Sequence, residues 1–194
     1  GFRLRTTLAA LGSLLLAGGL AAAGTVYWDV NYTGAGSGNN GGNWGAVNWT
    51  TDATGVAAPA LWVDGDSAVF SAGTDGTGAW TVNLDSTVST PSITFKDATG
   101  DNSKTIAGTG TINIGGGRIN SSAFGTGDAG NNGRDVNMNV VLAGSGGLTI
   151  AAHGNATANG GGGGGSEFRL GAAHTFSGGL AITSGRVSWA NEAD

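Results

Sequence analysis

From Trp80 onward the chain is written in short alternating words. In WTVNL, Val82 and Leu84 take one face and Asn83 the other; PSITF does the same through Ile93 and Phe95. GTINI sets Ile112 and Ile114 against Asn113, and DVNMNVV sets Val136, Met138 and Val140 against Asn137 and Asn139. GLTIA, EFRL, GLAITSG and GRVSW continue the pattern to Trp189. Side chains of a strand alternate between its two faces, so period two over a few residues predicts half-buried β-strands. Gly or Asn cuts each word and supplies the turn. No helical apolar stripe is present after residue 23.

Two architectures use many short strands. A sandwich or barrel wants strands of even length joined by hairpins. A β-helix wants short strand, turn, short strand, turn, and then the next coil. The crowded turns favour the β-helix, and HTFSGGLAITSGRV (His174–Val187) has the corner-strand-corner form of one coil. Val82, Leu84, Ile93, Phe95, Ile112, Ile114, Val136, Met138, Val140, Leu148, Ile150, Leu170 and Ile182 are then expected to form one inward column. With 40 Gly among 194 residues, 11% charge and no Cys, stability has to come from backbone ladders and stacking, without disulfides.

The first 23 residues differ. Arg3 and Arg5 make a short basic start, Leu8–Ala23 is uncharged, and Ala21, Ala22 and Ala23 offer small residues for cleavage. These are the three parts of a secretory signal. The apolar run is shorter than the roughly 20 residues of a membrane span, so stable membrane insertion is not expected. Loss of Arg3 and Arg5 takes the formal charge from −5 to −7. An acidic exported chain is a poor nucleic-acid binder, which needs clustered positive charge. The chain begins without Met and ends on Asn191-Glu192-Ala193-Asp194, which suggests a piece of a longer protein. GRVSWANEAD holds no convincing cap, so an open last coil that self-associates is expected.

Residues 24–79 are loop-rich and hold Trp28, Trp44, Trp49 and Trp62. Their plain role is to cover the open end of the coils. Their functional role is a sugar-stacking face built from Trp44, Trp49 or Trp62. The organisation expected is therefore a signal peptide (1–23), a Trp-rich capping region (24–79) and solenoid rungs (80–194).

GSGGLTI followed by LGAAHTFSGGLAITSGRV resembles the autotransporter-associated β-strand repeat. Gly144, Gly146, Gly147, Leu148 and Thr149 fit its first half. Leu170, Gly171, Thr175, Phe176, Gly178, Gly179, Ile182, Gly185 and Val187 fit its second. His174 stands where Asn is usual and Phe176 where Tyr is usual, and GNATANGGGGGG lengthens this copy. YWD, NWGAVNWT, GDSAVF, TVNL and SITF resemble, in that order, the region that often precedes such repeats. The resemblance implies an all-β, right-handed parallel β-helix with an aromatic N-terminal cap. It implies a secreted or surface-displayed adhesive passenger of a Gram-negative bacterium, a glycan or host-surface ligand, and no reaction.

The chemistry of individual residues adds little. His153 and His174 lack a paired acid and a nucleophile, so no His-based relay is nominated. Lys96–Lys104 (KDATGDNSK) and Asp64–Asp66 (DGD) carry oxygens that could face Ca²⁺, but Asp and Asn also make their own turn bonds. Gly160–Gly165 is no phosphate loop, because no Lys-Ser/Thr follows. A polysaccharide lyase or hydrolase would need converging carboxylates, and the acids here are scattered among turns. The sequons at Asn31, Asn48, Asn120 and Asn155 are incidental in a bacterial host. No catalytic, cofactor-binding or metal-binding residue is nominated, and no cofactor is expected.

Overall fold

The computed structural model describes residues 23–38, 41–96, 102–122, 135–153 and 167–189. The signal-peptide reading of the N-terminus, the Gly160–Gly165 loop and the centre of the Lys96–Lys104 stretch lie outside the described residues. Among the described residues every regular element is a strand. In the aromatic region these are β1 (Thr25–Trp28), β2 (Gly42–Asn43), β3 (Trp49–Thr50) and β4 (Ser67–Phe70). Then come β5 (Trp80–Asn83), β6 (Thr87–Ser89), β7 (Ser92–Phe95), β8 (Lys104–Asn113), β9 (Arg118–Asn120), β10 (Val136–Gly144) and β11 (Leu148–Ala151). The last are β12 (Phe168–Leu170), β13 (Thr175–Phe176), β14 (Leu180–Ser184) and β15 (Val187–Trp189).

The strands form two sheets, and neither closes on itself. One runs β14-β11-β9-β7-β4-β1-β3; the other runs β15-β12-β10-β8-β5-β2, with β13 beside β10 and β6 beside β8. Among the described strands, β1–β3 is the one antiparallel pair and the other pairs are parallel. Parallel neighbours cannot be joined by a tight hairpin. From β5 onward the chain accordingly alternates between the sheets and returns one strand further along. Three segments recur in each round. β8 pairs with β5 through its first half and with β6 through its second, so it spans in one strand what the round before makes from two.

The alternating words become the core through this register. Ala68, Ile93, Ile119, Ile150 and Ile182 are successive ladder partners, as are Val82, Ile106, Met138 and Leu170. All but Ile182 are buried, within one continuous cluster. Each buried Val, Ile, Leu or Met side chain in these ladders contributes about 1.5–3 kcal/mol on burial. Ile182 departs from the expected inward column: it keeps the register but is 47% exposed. It lies on the end strand of its sheet, and no described strand covers it.

The rounds approach closely at their corners. Gly108 has φ of +132°, and a Cβ there would lie 2.2 Å from Leu84 O in the neighbouring round. Only Gly fits both the backbone angle and that gap.

The aromatic region shares both sheets with the later strands. Trp28, Trp44 and Trp49 are buried at the β2 and β3 ends of the sheets. Trp28 meets Trp49 edge-on at 5.2 Å, Trp44 lies 4.9 Å from Trp49, and Phe70 stacks on Phe95 at 5.3 Å. The aromatic cluster thus runs straight into the aliphatic columns.

Candidate functional site

Two surfaces could meet a partner, one at each end of the sheets. The first is a groove of about 470 Å³ at the aromatic end, lined by Trp44, Leu61, Trp62, Val63, Asp64, Thr87 and Val88 among others. Leu61 and Val63 are 59% and 55% exposed, so its rim is apolar and open. Trp62 is half-buried, its ring 4.9 Å from Trp49 and 5.1 Å from Trp44. Its Nε1 donates to Asp64 Oδ1 at 2.9 Å, and the same oxygen accepts the Ser89 N–H at 2.9 Å. This fixes the indole plane against the turn. Trp44 Nε1 is buried and has no acceptor.

Of the sugar-stacking face expected from Trp44, Trp49 or Trp62, this removes Trp44 and Trp49. Trp44 and Trp49 are 0% and 1% exposed, with Trp49 Nε1 donating to Trp44 O at 2.9 Å. Their rings complete the core and offer no free face. Trp62 alone of the three reaches solvent.

The second surface is the far edge formed by β14 and β15. Ile182 and Trp189 are 47% and 49% exposed, and Leu180 and Val187 are partly buried against the core below. Apolar side chains coincide here with a strand edge that no described strand pairs, the combination that templates further strand pairing.

The structure separates the histidines from one another. His153 is buried, and its Nδ1 lies 2.9 Å from Ser121 Oγ, which also accepts the His153 N–H at 3.1 Å. Ser121 and His153 are 32 residues apart and meet between neighbouring rounds. His174 Nδ1 accepts the Leu142 N–H at 3.1 Å, also across 32 residues. Burial pushes the His174 imidazole below its ordinary value. That favours the neutral ring the bond requires.

The acids in turns are held by local donors. Asp64 is occupied as described, and Asp66 Oδ1 accepts the Gly24 N–H at 2.7 Å. At the described end of the Lys96–Lys104 stretch, Lys104 is buried and donates to Gly76 O at 2.7 Å and to Gly78 O. The ammonium of the chain itself thus occupies carbonyls that could face a cation. No three His, Cys, Asp or Glu side chains gather to hold a metal ion among the described residues.

One charged cluster was not anticipated from the sequence. Arg169 bridges Glu167 and Asp135, the latter at 3.3 Å, while Arg186 Nε reaches Glu167 at 3.1 Å. Burial alone would raise the Glu167 carboxyl. Hydrogen bonds from Arg169 and Ser188 and the two arginine charges outweigh it and hold the group below the usual glutamate range. The only sequence signal for this cluster is separation: Glu167 N donates to Asp135 Oδ1 at 3.1 Å across 32 residues.

No described helix is long and apolar enough to cross a membrane, which leaves strand-built membrane barrels unaddressed. No protein-family model matches the chain, and no solved structure matches it. The chain is 34% identical over 191 residues to the adhesin BmaC autotransporter of Brucella suis biovar 1 (strain 1330). The match takes in 95% of this chain and 5% of that relative's length. This similarity supports an autotransporter-related adhesin as the origin of the sequence, for a segment about one-twentieth the length of the relative.

Proposed function

We propose that the chain is a stretch of right-handed parallel β-helix from an exported, surface-displayed adhesive protein of a Gram-negative bacterium, and that it catalyses no reaction. The observation that carries this reading is the parallel ladder of successive rounds. Its register advances by 24 residues from Trp80 to Lys104, by 32 from Lys104 to Val136 and from Val136 to Phe168, and by 19 from Phe168 to Val187. Side-chain bonds join Ser103 to Asp135, Thr105 to Asn137, Ser145 to Ser177 and Ala152 to Ser184 between such rounds. Rounds of about 20–32 residues with parallel partners and inward Ile columns are the pattern of a solenoid. The similarity to an autotransporter adhesin supports its placement at the cell surface. Residues 1–23 would serve as the export signal and leave the later residues outside the cell.

In this reading the protein is a rigid spacer and display surface. Outward Thr, Asn and Ser side chains cover its flanks, and the exposed β14–β15 edge receives the next coil or another copy. The test joins display with adhesion. Latex beads coated with residues 24–194 should bind host-cell monolayers more than beads coated with albumin. Binding at the albumin level would remove the adhesive role from this segment.

A second reading has one observation in its favour. The groove beside Trp62 joins a half-exposed indole to apolar walls and hydroxyl groups, the chemistry of a glycan-binding site. A glycan array probed with the chain and with Trp62→Ala separates the readings. Saccharide binding lost in that variant would favour a glycan-binding module.

A further inference from the structure

In the aromatic region Asp52, Asp64, Asp66 and Asp75 all collect hydrogen-bond donors. Asp52, for instance, takes the Thr54 N–H and hydroxyl on one oxygen and the Val56 and Ala57 N–H groups on the other. Asp75 takes the N–H groups of Ser37 and Gly38. Asp29 differs. It is 0% exposed; Oδ1 accepts the Asn31 N–H at 3.1 Å, and Oδ2 has no donor.

Asn31 repeats the anomaly two residues on. Its Nδ2 donates to Ala35 O at 3.2 Å, which fixes the orientation of the amide. Its Oδ1 is then buried without a donor. Buried acceptors are rarely left unpaired, because desolvation is then uncompensated. Two such oxygens in one short loop call for a positive or hydrogen-bearing guest: a cation, a proton or a water.

The sequence favours the cation. Asp29, Asn31 and Thr33 bring oxygen side chains at alternate positions and Gly34 stands sixth, which is the first half of a calcium-loop pattern. The closing Glu of such a loop is absent, since Asn40 occupies the twelfth place.

We propose that the Asp29 loop binds a divalent cation of the Ca²⁺ type through Asp29 Oδ2 and Asn31 Oδ1. Calcium accepts mixed sets of carboxylate, amide and main-chain oxygens and water. The absence of three gathered His, Cys, Asp or Glu side chains among the described residues therefore leaves room for it. A set so short of carboxylates places the affinity with weak extracellular modules, at about 0.1–1 mM. The bound ion would tie the loop down at the end of the core, beside buried Trp28.

The test is thermal unfolding of the full chain at pH 7 in EDTA and in CaCl₂. At about 10 mM Ca²⁺ the midpoint should rise by a few degrees, by mass action on the folded state. Asp29→Asn should abolish the rise. Asn31→Asp should lower the midpoint in EDTA and cut the half-saturating Ca²⁺ concentration by roughly tenfold, because ligand charge sets affinity. Equal midpoints in EDTA and Ca²⁺ would overturn the site and leave a proton or a water as the guest. A Ca²⁺-dependent rise that survives Asp29→Asn would overturn its placement. Should Asp29→Asn fail to fold, Asn31→Asp decides: a midpoint indifferent to Ca²⁺ in that variant overturns the proposal.

Discussion

Ile182 is in ladder register with Ile150, yet Ile150 is fully buried and Ile182 is 47% exposed. The same residue type on the same column thus meets two environments, separated by one strand. Ile150→Asp should abolish cooperative unfolding, because an unpaired charge would enter a closed core at a cost above about 4 kcal/mol. Ile114→Asp should do the same, since Ile114 is 1% exposed. Ile182→Asp should change stability by about 0.5 kcal/mol or less. Thermal melts of the three variants check the contrast.

His174 Nδ1 accepts the Leu142 N–H across 32 residues. An Asn carbonyl oxygen could accept the same bond. His174→Asn should therefore be near neutral, while His174→Ala should cost about 1–3 kcal/mol by leaving a buried N–H unpaired. The sign with pH follows from the depressed imidazole value. The contribution of His174 is complete above the unfolded-state value near 6.5 and is lost as pH falls from there through the folded value. His174→Asn should remove that part of the pH dependence in urea melts.

Glu167 behaves in the carboxylate sense. Its value is held below the usual range, so its contribution is present above the unfolded glutamate value near 4.5 and lost as pH falls through the folded one. Arg169 and Arg186 are 49% and 56% exposed, and solvent screens the pairs. Glu167→Gln should thus lower the melting midpoint by a few degrees at pH 7 and by less at pH 3. A larger gap at pH 3 than at pH 7 would contradict the assignment.

The tryptophans divide in the same way. Trp44→Ala opens the core and should cost about 3–5 kcal/mol. Trp62→Ala removes a half-buried ring from the groove wall and should cost clearly less. Denaturant midpoints of the two variants give the comparison directly.

Much of the fold was legible because period two survives in every strand of the columns. Val82, Met138 and Leu170 could be placed inward by alternation alone, and the ladder then puts them in one column. Exposure at Ile182 was not legible, since alternation assigns a face but cannot say whether another strand covers it. The burial of Trp44 and Trp49 fits the capping role expected of the Trp-rich region. Which rings would stay open was not legible, since only the packing around Phe70 decides that. The Ser121–His153 and Asp135–Glu167–Arg169 contacts join distant residues. No local motif marks them, and only their 32-residue spacing betrays them.

In the proposed stack of coils the middle is firm and no described strand lies beyond β14 and β15. Hydrogen exchange on residues 24–194, as a dilute monomer, tests this stack. The stack predicts that amides of β14 and β15 exchange at least about 100-fold faster than those of β8 and β10, because interior strands open only with the whole fold. Equal protection of the four strands would contradict it, showing that the β14–β15 edge is closed and that stability is not built coil upon coil.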